Sequence, residues 1–179
     1  MIYGWDWDGT LVESFGPAPL PGAREAIRPY RAGVLTFVAT NQSGPVFRAV
    51  LGSAKYPTVE QVCTNIGAGI AALSFRPDLF VLCCHPGKDG EEWAAAALDV
   101  GEQFHRQIGA ALQAIDYAVF FGLPFRKPQP GMLAYAAGYF KAQTAEIVYV
   151  GDMESDEIAA RQCGARFVDA AEWLGGAAL

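Results

Sequence analysis

One hundred and seventy-nine residues, 52% apolar and 18% charged, suffice for one ordinary globular core with room for an insertion, and they exclude a disordered chain. Thirteen Lys and Arg against nineteen Asp and Glu give a formal charge of −6, which repels phosphate polyanions and weighs against a nucleic-acid-binding module. No apolar stretch reaches membrane-spanning length, no basic region followed by an apolar run opens the chain, and the four cysteines form no secreted-type framework, so a cytoplasmic protein without membrane contact is expected.

In chain order, the first strand is expected over Ile2–Asp6, then a helix over Gly22–Tyr30 capped near Gly33. Val34–Ala39 forms the second strand, and the capping-box spacing of Thr58-Val59-Glu60-Gln61 opens a helix to about Phe75. Leu79–Cys84 is the third strand. From Glu91 onward Trp93, Ala97, Phe104, Ile108, Leu112 and Ile115 recur at three-to-four-residue steps, which predicts one long amphipathic helix. Tyr117–Phe121 is the fourth strand, Gly131–Phe140 a helix, Ile147–Val150 the fifth strand, Ser155–Cys163 a helix, and Ala165–Val168 a weaker sixth strand. Near-continuous apolar runs suit strands buried on both faces. Their alternation with helices predicts an α/β fold of three layers, α/β/α, around a doubly wound, Rossmann-like parallel sheet with right-handed crossovers. Ligands in such sheets bind beyond the carboxyl ends of the strands.

Four polar clusters stand at those ends. Asp6-Trp7-Asp8-Gly9-Thr10-Leu11 follows the first strand; in a regular strand Asp6 and Asp8 would share a face, where a cation relieves their repulsion. Asp-Gly is also a common turn signal. Thr40-Asn41-Gln42-Ser43-Gly44 follows the second strand, a set of neutral donors suited to phosphate oxygens or to capping a helix. Phe125-Arg126-Lys127-Pro128-Gln129-Pro130-Gly131-Met132 sets a cation on a stiff loop, as surface Lys-Pro turns also do. Gly151-Asp152-Met153-Glu154-Ser155-Asp156 ends the fifth strand with acids that can ligate a hard cation or favour a helix N-terminus.

In this order the clusters resemble the four motifs of the haloacid dehalogenase (HAD) superfamily of phosphohydrolases, from Met1 to about Val168. The Thr-Asn-Gln-Ser-Gly and Arg-Lys-Pro forms are similar to the capless subgroup containing histidinol-phosphate and heptose-bisphosphate phosphatases and polynucleotide 3′-phosphatases. The resemblance implies a HAD-like fold and an Mg²⁺-dependent phosphomonoester hydrolase acting through an aspartyl-phosphate intermediate. By that likeness Asp6 is the nucleophile and Asp8 the general acid, then the base. Thr40 binds the phosphoryl group through its hydroxyl, Asn41 through its backbone, and Lys127 pairs with nucleophile and phosphate. Asp6, the Asp8 carbonyl and Asp152 hold Mg²⁺, and Asp156 assists through water.

The likeness also implies a single domain over residues 1–179. Only 30 positions separate Thr10 from Thr40, so no large cap domain fits there. The 84 positions from Ser43 to Lys127 exceed the subgroup's usual connection, which marks a non-standard insertion at about residues 85–121, a partial lid or an interface between copies. Some relatives carry a zinc loop. Here Cys83 and His85 keep a Cys-x-His spacing, but Leu123 and Phe125 stand where its other cysteines would be, so structural zinc is not expected. His105 is read as an ordinary residue of the long helix.

The expected substrate is a small phosphorylated metabolite, a sugar phosphate or bisphosphate. A polynucleotide 3′-phosphatase is the alternative, disfavoured by the acidic charge; Arg24, Arg28 and Arg31 share a helical face but read as solvated surface. A non-catalytic binding protein of the same fold ranks below both, because no motif residue is lost. Trp5, Trp7 and Phe15 stand near Asp6, where an aromatic ring could face a substrate, but as aromatic side chains beside a strand they are expected to belong to the core.

Overall fold

The computed structural model describes residues 1–30 and 33–176; Arg31 lies outside the described residues, whereas Arg24 and Arg28 are exposed. Six strands form one parallel sheet: β1 (Ile2–Trp5), β2 (Leu35–Asn41), β3 (Leu79–Cys83), β4 (Asp116–Phe120), β5 (Ile147–Gly151) and β6 (Arg166–Asp169), in spatial order β4-β3-β2-β1-β5-β6. The chain starts at the centre, builds outward through β2, β3 and β4, then returns to add β5 on the other side of β1. The β1–β5 junction is therefore the topological switch point, where such sheets leave a crevice at their carboxyl edge.

Strand alternation divides the core. Trp5, Val38, Phe80, Leu82, Val148 and Val150 point into one apolar layer, and Ile2, Phe37, Ala39, Val81, Ile147 and Tyr149 into the other. The first layer is covered by α1 (Ala23–Ile27), α2 (Gly44–Leu51), α3 (Val59–Leu73), α4 (Glu91–Leu112) and α7 (Ala170–Leu174); the second by α5 (Gly131–Tyr139) and α6 (Glu154–Cys163). Trp5 and Trp7 are buried in the first layer, as expected, where Trp5 meets Phe75 and Trp173.

The capping box at Thr58 forms as the sequence predicts: the Thr58 hydroxyl accepts from the Gln61 N–H, and Gln61 Oε1 accepts from the Thr58 N–H. Residues 85–121 comprise the connection after β3, helix α4 against α3, and edge strand β4. Among the described residues no domain-sized cap interrupts the connection from β1 to β2.

Several boundaries differ from the sequence reading. Gly33 does not cap the first helix: α1 ends at Ile27 and passes into a 3-10 turn over Arg28–Tyr30, whose Pro29 lacks the N–H a continuing helix needs. Ile115 lies beyond α4, because Gln113 and Ala114 both adopt positive φ (44° and 64°) and end the helix at Leu112; Ile115 nevertheless reaches the core from the turn into β4. Helix α2 was not anticipated. Its Gly44-Pro45 start reads as loop, yet proline is well accommodated in a first helical turn. The short α7 was missed as well; Asp169 caps it by accepting the N–H groups of Ala171 and Glu172.

Candidate active site

The expectation that Asp6 and Asp8 share a strand face fails, because the regular strand stops at Trp5 and the Leu11 and Val12 N–H groups turn back onto the Trp7 carbonyl. Asp6 still completes the sheet edge through its own N–H, which donates to the Val150 carbonyl at 2.8 Å. Each carboxylate then acquires its own partners.

Asp6 meets Lys127. The Lys127 ammonium lies 2.6 Å from Asp6 Oδ1 and 2.5 Å from Asp156 Oδ1, and donates to the Ala39 carbonyl at 3.0 Å and the Tyr149 hydroxyl at 3.1 Å. Lys127, Asp6 and Asp156 are all buried. A buried ammonium among two carboxylates, a carbonyl and a phenol is held charged, and its pKa rises well above the ordinary value despite desolvation. Burial raises the Asp6 pKa as well, from 3.8 up to about 7, which here disfavours the charge; Lys127 opposes this, whereas Asp156 reinforces it.

The loop presenting Lys127 is fastened on both sides. Asn41 Nδ2 donates to the Lys127 carbonyl at 3.2 Å, and Asn41 Oδ1 accepts the Lys127 N–H at 3.1 Å. Arg126 Nη1 donates to the His85 carbonyl at 2.8 Å and to Ser43 Oγ at 3.2 Å. The loop is thereby tied to the ends of β2 and β3, and the Lys127–Pro128 peptide within it is cis. The Asn41 side chain is thus committed to the lysine loop, which leaves only its backbone to face a phosphate.

Asp8 is set differently. Its Oδ1 accepts the Phe15 N–H at 3.0 Å and its Oδ2 accepts from Gln42 Nε2 at 2.5 Å. Gln42 also donates to the buried Thr40 hydroxyl at 3.0 Å, so one amide links the Asp8 and Thr40 side chains. Burial raises the Asp8 pKa, and the Phe15 and Gln42 bonds oppose the rise. A carboxyl raised in this way retains a proton to higher pH, which suits a general acid.

Asp152 is exposed and accepts from Thr10 Oγ1 at 3.2 Å. Asp6, Asp152 and Asp156 each offer a carboxylate oxygen within 4.8 Å of the others. Two glycines permit this crowding. A Cβ on Gly9, whose φ is 79°, would stand 2.3 Å from Asp152 Oδ2, and one on Gly151 would stand 2.4 Å from the Asp156 Cβ. Asp156 has two tasks, because its Oδ2 also accepts the Met153 N–H at the start of α6.

The residues fit a divalent cation on chemistry as well as spacing. Three carboxylates against one ammonium leave two excess negative charges when all are ionised, and the oxygen-only donor set is hard. The upward shifts of Asp6 and Asp152 express the same excess: burial, first in each case, and Asp156 disfavour ionisation where no cation balances it.

The predicted residues Asp6, Lys127, Asp152 and Asp156 thus come together at the β1–β5 junction. Asp8 and Thr40 meet through Gln42, and Asn41 buttresses Lys127. Cys83 lies in the second core layer with its Sγ toward the Gly122 carbonyl, and His85 Nδ1 accepts the Gly87 N–H. Sequence reasoning missed the parts played by Gln42, Tyr149 and Thr10. A hydroxyl within the otherwise aliphatic run Ile147-Val148-Tyr149-Val150 was the available signal for Tyr149; it donates to the Ala39 carbonyl at 2.8 Å while accepting from Lys127. Phe15 was assigned to the core and is instead 80% exposed, because its backbone is held out beside Asp8 at a positive φ of 63°.

Residues 124–169, which include Lys127, Asp152 and Asp156, match the HAD-hydrolase-like family model. No curated protein matches the chain. Among solved structures, a protein described as a HAD-like phosphatase from Mesorhizobium loti is 19% identical, with a TM-score of 0.52 over 97% of this chain and 81% of that one. D,D-heptose 1,7-bisphosphate phosphatase from B. bronchiseptica, in complex with magnesium and phosphate, is 22% identical over 99% of this chain and 87% of that one, with a TM-score of 0.49. The match over residues 124–169 and the shared α/β fold are what this chain has in common with HAD-like proteins.

Proposed function

We propose that the protein is an Mg²⁺-dependent phosphatase that hydrolyses a small phosphomonoester through an aspartyl-phosphate on Asp6. The observation carrying this reading is the buried Lys127 ammonium bridging Asp6 and Asp156 beside Asp152, with Asp8 held apart on its own donors. Asp6, Asp152 and the Asp8 carbonyl would hold the ion, with Asp156 assisting through water, and the ion would neutralise charge on the phosphoryl oxygens.

The Asp6 carboxylate attacks phosphorus as the bond to the leaving oxygen breaks, and Asp8 gives that oxygen its proton. Asp8, now ionised, takes a proton from water as the water oxygen attacks the aspartyl-phosphate; the P–O bond to Asp6 breaks and inorganic phosphate leaves. Lys127 and the Thr40 hydroxyl offer positive charge and a hydrogen bond to the phosphoryl oxygens, where negative charge accumulates. The Asn41 backbone adds a donor.

Phosphate release from a panel of phosphomonoesters, with Mg²⁺ or with EDTA, tests the reading. Turnover in Mg²⁺ abolished by EDTA is expected. Absence of turnover across the panel, or full activity in EDTA, would refute it. A 3′-phosphorylated oligonucleotide belongs in the panel, since exclusive hydrolysis of that substrate would replace the small-molecule assignment with action on nucleic-acid ends.

A further inference from the structure

The surroundings of Asp8 enclose more space than a phosphate fills. A groove of about 680 Å³ is lined by Phe15, Phe47, Tyr56, Lys55, Gln61 and Asn65, among others. Phe15, Pro57 and Asn65 also line a smaller cleft that includes Asp8 and Gln42, so the groove is continuous with the surroundings of the acid.

Its walls are held in place. Phe47 and Tyr56 stack with centroids 5.4 Å apart at 26°, and Trp93 packs edge-on against Phe47 at 5.2 Å. Arg48 Nη1 fastens the segment carrying Lys55 and Tyr56 by donating to the Tyr56 carbonyl at 2.8 Å and the Ala54 carbonyl at 3.3 Å.

Phe15 is the unusual member. It is a large aromatic residue, 80% exposed and at a φ of 63°, so it bears a left-handed backbone without gaining burial. Its backbone is clamped on both sides: the N–H donates to Asp8 Oδ1, and the carbonyl accepts from Asn65 Nδ2 at 3.1 Å. Rigid aromatic faces, two amides and one ammonium line the groove, and no carboxylate does. A hydroxyl-rich sugar would find no charged acceptor there, whereas a flat ring finds the open face of Phe15 to stack on and amides for its edge; the Tyr56 ring is already met by Phe47 and by the Lys55 ammonium, 4.8 Å from its centroid.

We propose that this groove receives the leaving group of the substrate and that the leaving group carries an aromatic ring, an aryl or a nucleoside, seated against Phe15. The proposal rests on the phosphatase reading and narrows its substrate class away from simple sugar phosphates. It also gives the exposed ring a purpose, because a substrate ring seated on Phe15 lies beside the residue whose N–H holds the acid.

The test measures kcat/KM in Mg²⁺ for phenyl phosphate, adenosine 3′- and 5′-monophosphate, glucose 6-phosphate and glycerol 3-phosphate, on the natural chain, Phe15→Ala and Tyr56→Ala. The ratio of the best aromatic ester to glycerol 3-phosphate is expected to fall roughly tenfold in Phe15→Ala, as for loss of one stacking platform, and to fall also in Tyr56→Ala. Whether phenyl phosphate or a nucleotide loses more separates the two sources of the ring. An unmoved ratio overturns the proposal, as does an equal loss for glycerol 3-phosphate, which would assign Phe15 to Asp8 alone. Equilibrium binding of phenylphosphonate, which cannot be hydrolysed, keeps this outcome separate from the phosphatase reading. If no ester turns over, that reading fails, yet roughly tenfold weaker phosphonate binding in Phe15→Ala still supports the groove and equal binding still overturns it.

Discussion

Asp6 just beyond β1, Lys127 on its pinned loop and Asp156 in the first turn of α6 are buried, whereas Phe15 and Lys55, on the groove side of the site, are exposed. The first group is over-determined: Lys127 alone has four polar partners within 3.1 Å, and its loop is pinned by Asn41 and Arg126. In the second, Phe15 is fastened through its backbone by Asp8 and Asn65, which leaves its ring free to meet a ligand, while the Lys55 ammonium lies over the Tyr56 ring at 4.8 Å. Chemistry on charged intermediates needs fixed dipoles at fixed positions, whereas a leaving group needs a surface. The difference teaches that substitutions on the floor should abolish turnover or disturb stability, whereas those on the groove should redistribute preference among substrates.

The most severe way to probe the floor is Asp6→Asn, for which a loss of kcat on the order of 10⁴-fold is expected in phosphate-release assays while the fold is retained. Asp8→Asn follows, with a loss of about 10²–10⁴-fold. Its signature is a pH profile. Because burial raises the Asp8 pKa and the protonated form is the acid, kcat of the natural chain should fall as pH rises through that pKa, and the variant should lose this limb. An unchanged limb in Asp8→Asn would remove Asp8 from the acid role.

Lys127→Met tests stability as well as activity. It leaves two buried carboxylates without their counter-charge, so a destabilisation of about 3–5 kcal/mol is expected by denaturant titration. Asp6→Asn should do the opposite in EDTA. The folded-state pKa of Asp6 is raised from 3.8 to about 7, so its contribution favours folding below the lower value and is lost as pH rises through the higher one. The difference in unfolding free energy between Asp6→Asn and the natural chain, read by denaturant titration, should be small near pH 4 and grow in favour of Asn by pH 8, to on the order of 1 kcal/mol or more. Added Mg²⁺ should stabilise the natural chain and shrink that difference. An Mg²⁺-independent Tm would contradict the metal assignment.

The mildest test lies on the groove side, where α3 carries Gln61 and Asn65. Thr58→Ala removes the cap of that helix and should cost about 1 kcal/mol by thermal or urea unfolding, with kcat for a small ester little altered. A large loss of kcat would show that the floor and the groove are coupled more tightly than their separate anchoring suggests.

The central strands were legible because buried parallel strands are written as near-continuous apolar runs, the edge strands β4 and β6 more weakly because each begins with an exposed charged residue, and the capping box at Thr58 was legible because both its partners are local. The motif residues were legible for a related reason: a carboxylate such as Asp6 at the end of an apolar strand stands out against its neighbours. Helix α2 escaped because its glycine and proline signal a loop as readily as a first turn. The end of α4 escaped because Gln113 and Ala114 bear no glycine to announce their positive φ. Gln42 and Phe15 were visible as residue types, but their partners lie 34 and 7 positions away and only folding brings them together.

The sequence by itself determined a chain of one acidic domain's length, its alternating strands and helices, and the identity of the charged groups at the strand ends. These follow from local periodicity and from the expense of placing charge beside a core. The tertiary structure decided which charges meet: Lys127 lies between Asp6 and Asp156, Asp8 is held apart on Phe15 and Gln42, and Phe15 faces outward rather than into the core. Electrostatic pairing and burial depend on distances across the fold, between residues as much as 121 positions apart in the chain, and no local pattern carries them.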